Sequence, residues 1–317
     1  MTIKVFYKWA VAHILLFSTG CSVLDSPNTG RNDSAYQIPI EIKGSLQNPA
    51  WSPDEKMIVL TRFQHRYNEG PADLVIYDLE SGNTKVIVSD GYDNVNLPGS
   101  VWNESTEQII FSSSREPHDE IYLINVTRPG EEQKITERDE LVAYEPSFSP
   151  DGQWIVFETH RLDIEDNGII TKYKIDGTEE YQALTSEHED CRQPNWSPDG
   201  EHILYQTMMD GQWEIWIMNT DGSDKRQVTG GLGDKTDASF SPDGEWIVYS
   251  GDSPTMEFAN LFIIPISGGK PTQVTSFNGY DGAPSWSPSG ERIIFESSKS
   301  GDDGLQETSI WIIDLER

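Results

Sequence analysis

The stretch Pro146-Ser147-Phe148-Ser149-Pro150-Asp151-Gly152-Gln153-Trp154-Ile155-Val156-Phe157 returns from Pro194 to Tyr205 with its proline, Ser-Pro-Asp-Gly turn and isoleucine in place and, in related form, four further times. Its marker aromatic recurs as Trp51, Trp102, Phe148, Trp196, Phe240 and Trp286, at separations of 51, 46, 48, 44 and 46 residues. Those periods suit a unit of four short strands. Seven residues after each marker stands Ile58, Ile109, Ile155, Ile203, Ile247 or Ile293; nine after it stands Leu60, Phe111, Phe157, Tyr205, Tyr249 or Phe295. Between them lies Ser-Pro-Asp-Gly at 149–152, 197–200 and 241–244, with variants at 52–55 and 287–290. Proline presets φ at about −65° and glycine accepts positive φ, so each copy is a hairpin turn between two strands.

The strand after the turn is apolar at consecutive positions, as in Ile155-Val156-Phe157 and Ile247-Val248-Tyr249. A strand with one wet face alternates; these do not, so both faces are covered. Small sheets stacked radially provide that cover, which predicts an all-β, six-bladed β-propeller. Third strands are expected around 74–77, 121–124, 215–218, 261–264 and 310–313, and fourth strands around 85–88, 227–229 and 273–275. The chain reaches Arg317 after only the third strand of the last unit. Gln37 to Ile42 is therefore expected to supply the missing one beside Ile310 to Ile313, with Pro39 suited to an outermost strand. The second unit departs from the others, since Asn103-Glu104-Ser105-Thr106 replaces the turn, yet Trp102, Ile109 and Phe111 keep register.

The motif Pro-x-Trp/Phe-Ser-Pro-Asp-Gly-x-x-Ile-x-Phe resembles the WD-repeat-like blade of the TolB-like propeller family, over about residues 36–317. The resemblance implies the fold; such blades occur in scaffolds, in peptidase propellers and in a metal-dependent pectate-oligomer lyase, so function must be read from the site. The additional α/β domain that precedes the propeller in TolB is not expected here.

Residues 1–20 read as an export signal: Lys4 and Lys8, then an apolar run from Trp9 to Phe17 broken only by His13, then Ser18, Thr19 and Gly20. Leu16-Phe17-Ser18-Thr19-Gly20-Cys21 resembles the bacterial lipoprotein signal, which implies cleavage before Cys21 and its lipidation, and Ser22 resembles lipoproteins sent to the outer membrane. The expected organisation is a signal over 1–20, a flexible tether over 21–35 rich in Ser, Asn, Asp, Gly and Pro, and the propeller over 36–317. Only Cys191 remains besides Cys21, so no internal disulfide is expected. With 53 acidic against 23 basic residues the net charge is −30 and no basic stripe exists, which argues against nucleic acid as a partner.

Loops carry function more often than turns do. The short Ser-Pro-Asp-Gly turns share one rim; the opposite rim carries long, varied connections, including 62–72, 90–99, 160–168, 251–260 and 297–308. That long-loop rim is the expected working face, with Glu145, Asp190, Asp237, Asp281, Tyr92 and Tyr280 as candidate binding residues at the channel mouth. Tyr67, Phe258 and Phe277 add aromatic surface there. Solvated loop residues account for the same acids, and no pair has a recognised ligand spacing. The two metal alternatives are calcium on Glu145, Asp237 and Asp281, and a transition metal on His65, His118, His160 and His188. No nucleophile elbow, phosphate loop or Cys-x-x-Cys pair appears. The reading is a monomeric, lipid-anchored envelope scaffold that needs no cofactor and binds a protein or peptide; the alternative is a metal-dependent lyase or hydrolase of uronate-type sugars.

Overall fold

A computed structural model describes residues 31, 33–103, 105–138, 140–162, 167–178, 180–253, 255–298 and 307–315. The signal segment, Cys21 and the tether as far as residue 30 lie outside the described residues. Every regular element described is a strand, and the strands form six antiparallel sheets, one per sequence unit. Blade one holds Ser45–Trp51, Met57–Phe63, Ala72–Asp78 and Thr84–Val88, from the axis outward. Blades three, four and five begin at Leu141–Phe148, Cys191–Trp196 and Lys235–Phe240 and repeat that order.

The consecutive apolar positions explain the ring. Within blade three, Val156 packs with Trp196 and Ile203 of blade four, while Ile155 and Phe157 share a cluster with Ile110 and Leu123 of blade two. Val248 of blade five joins Ile293 and Phe295 of blade six, and Ile294 of blade six joins Ile58 and Leu60 of blade one. So the residues seven and nine after each marker face the preceding blade and the residue between them faces the next. Period-two alternation thus puts each blade's middle strand into two cores at once.

The turn motif has a physical reason at each position. Ser149 Oγ donates to Asp151 at 2.6 Å and accepts the Trp154 N–H at 3.0 Å, while Asp151 accepts the Gln153 N–H at 3.0 Å. The same serine bonds recur at Ser52, Ser197 and Ser241. In blade two Asn103 substitutes for this pair, its Oδ1 accepting both the N–H and the hydroxyl of Ser105 at 3.1 and 2.9 Å. The inner strand of that blade is split into Asn94–Val95 and Trp102–Asn103, both paired with Gln108–Ser113. The excursion between them demands glycine at 99, where a Cβ would lie 2.0 Å from Asn195 Nδ2.

Two expected fourth strands are shorter than predicted, Arg226–Gln227 and Thr272–Gln273. Thr229 and Thr275 leave the ladder because their hydroxyls take over as acceptors, each from a third-strand N–H at 2.9 Å.

Closure occurs in blade six, ordered outward as Tyr280–Trp286, Arg292–Ser298, Ser309–Asp314 and Tyr36–Gln37. Tyr36 faces Ile312, Gln37 faces Trp311, and the Ile38 N–H donates to the Ile310 carbonyl at 2.9 Å. The closing ladder stops there, earlier than Ile42, because Pro39 has no N–H and Ile40 and Ile42 bond to carbonyls two residues back. The tether is corrected at its end: Arg31 and Asp33 are packed on the propeller, with side chains 2% and 6% exposed.

Replacing Trp196 by Ala should lower unfolding free energy by ~3–5 kcal/mol, read from denaturant titration, because it empties the contact between blades three and four. Deleting residues 36–43 should lower the midpoint of the whole unfolding transition, not only loosen one edge, since blades one and six share a core with Ile38. Retention of the full-length midpoint would refute the closure.

Candidate functional site in the axial channel

Three residues before the marker, the inner strands of blades one, three, four, five and six each carry a bulge. The residues there, Asn48, Glu145, Gln193, Asp237 and Ala283, have φ of 51, 55, 51, 53 and 46°, and Gly99 at 97° takes the place in blade two. This left-handed geometry re-aims the backbone and frees N–H groups that a ladder would use. The Asn48 N–H donates to Glu296 Oε2 of blade six at 2.9 Å, and the Gln193 N–H to Glu158 Oε2 of blade three at 3.0 Å. Gln193 and Asp237 exchange two bonds, side chain to side chain at 2.9 Å and Asp237 N–H to Gln193 Oε1 at 3.0 Å.

These links gather a buried set of acids and phenols. Burial pushes Glu296 up to about 8, with the Asp237 charge adding to it and the Asn48 N–H opposing. The Tyr67 hydroxyl donates to Glu296 at 3.2 Å and lies 3.4 Å from that of Tyr280, whose ring meets its own edge to face at 5.9 Å. Burial also raises Asp237, against the bond from Gln193, and raises Glu145 well above the carboxylate range with help from Glu158. Burial works against Glu158 ionisation too, but the 2.9 Å bond from His160 and the neighbouring Glu145 carboxyl hold it down at about 2. Further out, burial lifts Asp119 to about 6 beside the Tyr144 hydroxyl.

Of the expected site residues, Glu145, Asp237 and Tyr280 come together at the axis. Asp281 does not: as the strand neighbour of Tyr280 it points to the other face and pairs with Arg31 Nη2 at 2.8 Å. Asp190 accepts from the Gly168 N–H at 2.9 Å and from Arg192 Nε at 3.0 Å, and Tyr92 is exposed on the rim. The calcium set Glu145, Asp237 and Asp281 is thereby split. The four histidines do not converge either. His160 is bonded to Glu158, His118 lies 2.5 Å from the Arg138 carbonyl, His65 packs against Gly70, and His188 is exposed. Among the described residues, ligand atoms of three such side chains approach within 4.8 Å only at Asp199, Glu201 and His202, on the short-turn rim.

The sequence reading missed Glu158, Glu296, Gln193, Asn48 and Arg31. A signal for the first two was present: ten residues after each marker stands Thr61, Ser112, Glu158, Gln206, Ser250 or Glu296, polar every time beside an apolar run. A hollow of about 300 Å³ opens at the short-turn mouth, lined by the six marker aromatics, Pro53, Pro150, Pro198, Pro242 and Pro288, and Ser100 and Asn195.

Fold and channel define a six-bladed β-propeller closed by its N-terminal strand. Residues 166–255 match the family model of the TolB beta propeller domain. The putative TolB from Agrobacterium tumefaciens superposes with a TM-score of 0.65 at 19% identity, covering 89% of this chain and 97% of that one. An oligogalacturonate lyase in complex with manganese superposes with a TM-score of 0.58 at 13% identity, covering 90% and 97%. In sequence, the dipeptidyl-peptidase 5 of Porphyromonas gingivalis is 29% identical over 285 residues, 86% of this chain and 33% of the relative. The aligned stretches span 16 to 34% of these curated relatives' own length.

The buried Glu296 sets a pH dependence. An unfolded chain releases this proton above the ordinary 4.5, whereas the folded one keeps it to about 8. Folding thus binds a proton between those values, and stability falls as pH rises across the window. Glu296→Gln, which keeps the acceptor for Asn48, should melt with wild type near pH 4.5 and above it by ~5 °C at pH 8. A temperature gap that is constant with pH would show that Glu296 is ionised in the fold.

Proposed function

We propose that this TolB-like propeller is a non-enzymatic binding module of the bacterial envelope, anchored through lipid on Cys21 to the outer membrane and facing the periplasm. Its partner is a protein or peptide. The observation that carries the reading is the hollow at the short-turn mouth. Six aromatic and five proline side chains converge there on a recess of about 300 Å³, open to solvent. Recesses lined by apolar and aromatic groups with a few polar ones favour insertion of a partner's side chain or turn. At the other end, the Tyr67 hydroxyl bonds to Glu296 and lies 3.4 Å from that of Tyr280. A chain carrying a net charge of −30 attracts basic partner surfaces through a screened field, so association should weaken as salt rises.

The second reading, a metal-dependent lyase or hydrolase of uronate-type sugars, is favoured by the fold shared with the manganese-bound oligogalacturonate lyase. One experiment addresses both. A photo-crosslinking residue at Pro198, on the short-turn mouth, should capture a discrete envelope protein in intact cells, with less captured at high salt, and one at Tyr92 should not. Capture at Tyr92 alone moves the site to the long-loop rim. No capture at either position, together with stoichiometric Mn, Fe or Zn that is lost on mutating His118 and His160, establishes the enzyme reading instead.

A further inference from the structure

Arg31 is the most completely enclosed cation described at the closing edge. Its Nη1 and Nη2 donate to the two carboxylate oxygens of Asp281 at 3.0 and 2.8 Å, and Nη1 also meets Ser297 Oγ at 3.1 Å. Asp33, two residues on, accepts from Nε at 3.0 Å. Three aromatic rings surround the guanidinium: Phe277, Trp311 and Phe295 have centroids 4.6, 4.7 and 5.2 Å from Cζ. The side chain is 2% exposed and that of Asp281 is wholly buried.

Every wall of this enclosure except Asp33 belongs to blade six. Asp281 lies on its inner strand, Phe295 and Ser297 on the second, Trp311 on the third, and Phe277 in the connection that enters it. The occupant comes from 250 residues earlier. Among the described residues, its segment is held by the Arg31–Phe277 bridge, the Ser276 N–H donating to Asp33 Oδ2, and the ladder at Tyr36, Gln37 and Ile38. The receptor is thus part of a sheet that does not need the ligand to define it, and a planar fork flanked by π faces is the shape it complements. An ammonium would fill one corner and leave Asp281 half paired.

We propose that blade six carries a guanidinium-recognition socket made of Asp281, Ser297, Phe277, Phe295 and Trp311. It recognises its own closing strand through Arg31, and with Arg31 withdrawn it accepts an arginine supplied by another peptide that adds to the edge of Ser309–Asp314. Recognition of the side chain, more than the length of ladder, selects the segment that closes the ring.

The test uses full-length Arg31→Ala. Its melting temperature should fall by several degrees, and millimolar ethylguanidinium should restore a good part of the loss while ethylammonium at equal ionic strength restores none. A labelled peptide spanning residues 31–42 should bind this variant at least tenfold more tightly than wild type, and the same peptide with lysine in place of arginine should not. Asp281→Asn combined with Arg31→Ala removes both charges of the pair, so it should fold yet show neither recovery nor binding. If Arg31→Ala alone does not fold, its refolding yield in ethylguanidinium against ethylammonium reads the same contrast. Equal effects of the two cations, no effect of either, or an Arg31→Ala chain that melts like wild type would overturn the socket.

Discussion

A sheet of four short strands, apolar on both faces, cannot exist alone in water; it must lie between two others like itself. Each middle strand here divides its residues accordingly, Val156 toward blade four and Ile155 and Phe157 toward blade two. Because every blade makes the same demand, a row of them leaves two wet faces at its ends until the row becomes a ring. The contact of Ile294 with Ile58 and Leu60 is where this demand is met. Ring closure is therefore a consequence of burial, at roughly 25 cal/mol per Å² of apolar surface, before any particular bond is counted.

Converging inner strands create a second problem at the axis, since ladder groups crowd there without outer partners. The bulge answers it, and at Asn48, Gln193 and Asp237 it turns the N–H toward an acceptor on a neighbouring blade. Side chains that accept those bonds have to be polar, and burial raises Glu296 while the His160 bond keeps Glu158 low. The channel acids are first of all joints between blades. Their unusual proton affinities follow from that task, so strongly shifted carboxyls do not by themselves mark catalysis here.

The two ends of the channel differ for the same reason. At the turn end, Ser-Pro-Asp-Gly copies satisfy their own backbone with serine and aspartate, and the marker aromatics and prolines face the hollow beside a few polar groups such as Ser100 and Asn195. At the loop end, Tyr67 from a connection meets Tyr280 from the inner strand of blade six, and its hydroxyl bonds to Glu296. Regular local chemistry thus produced the hollow at the turn end.

By itself the sequence determined the number of blades, their four-strand content, the turns and the N-terminal closure, because these rest on local spacing: markers and isoleucines at fixed offsets repeat in every unit. It also held the polar position ten residues after each marker, a periodic signal of the same kind. Which acids meet was decided only by tertiary structure. Tyr280 and Asp281 are adjacent in the chain yet serve opposite faces, and Asp281 finds its partner in Arg31, 250 residues away. Spacing reports which face of a strand a residue occupies; what stands across that face depends on how six sheets are turned about one axis.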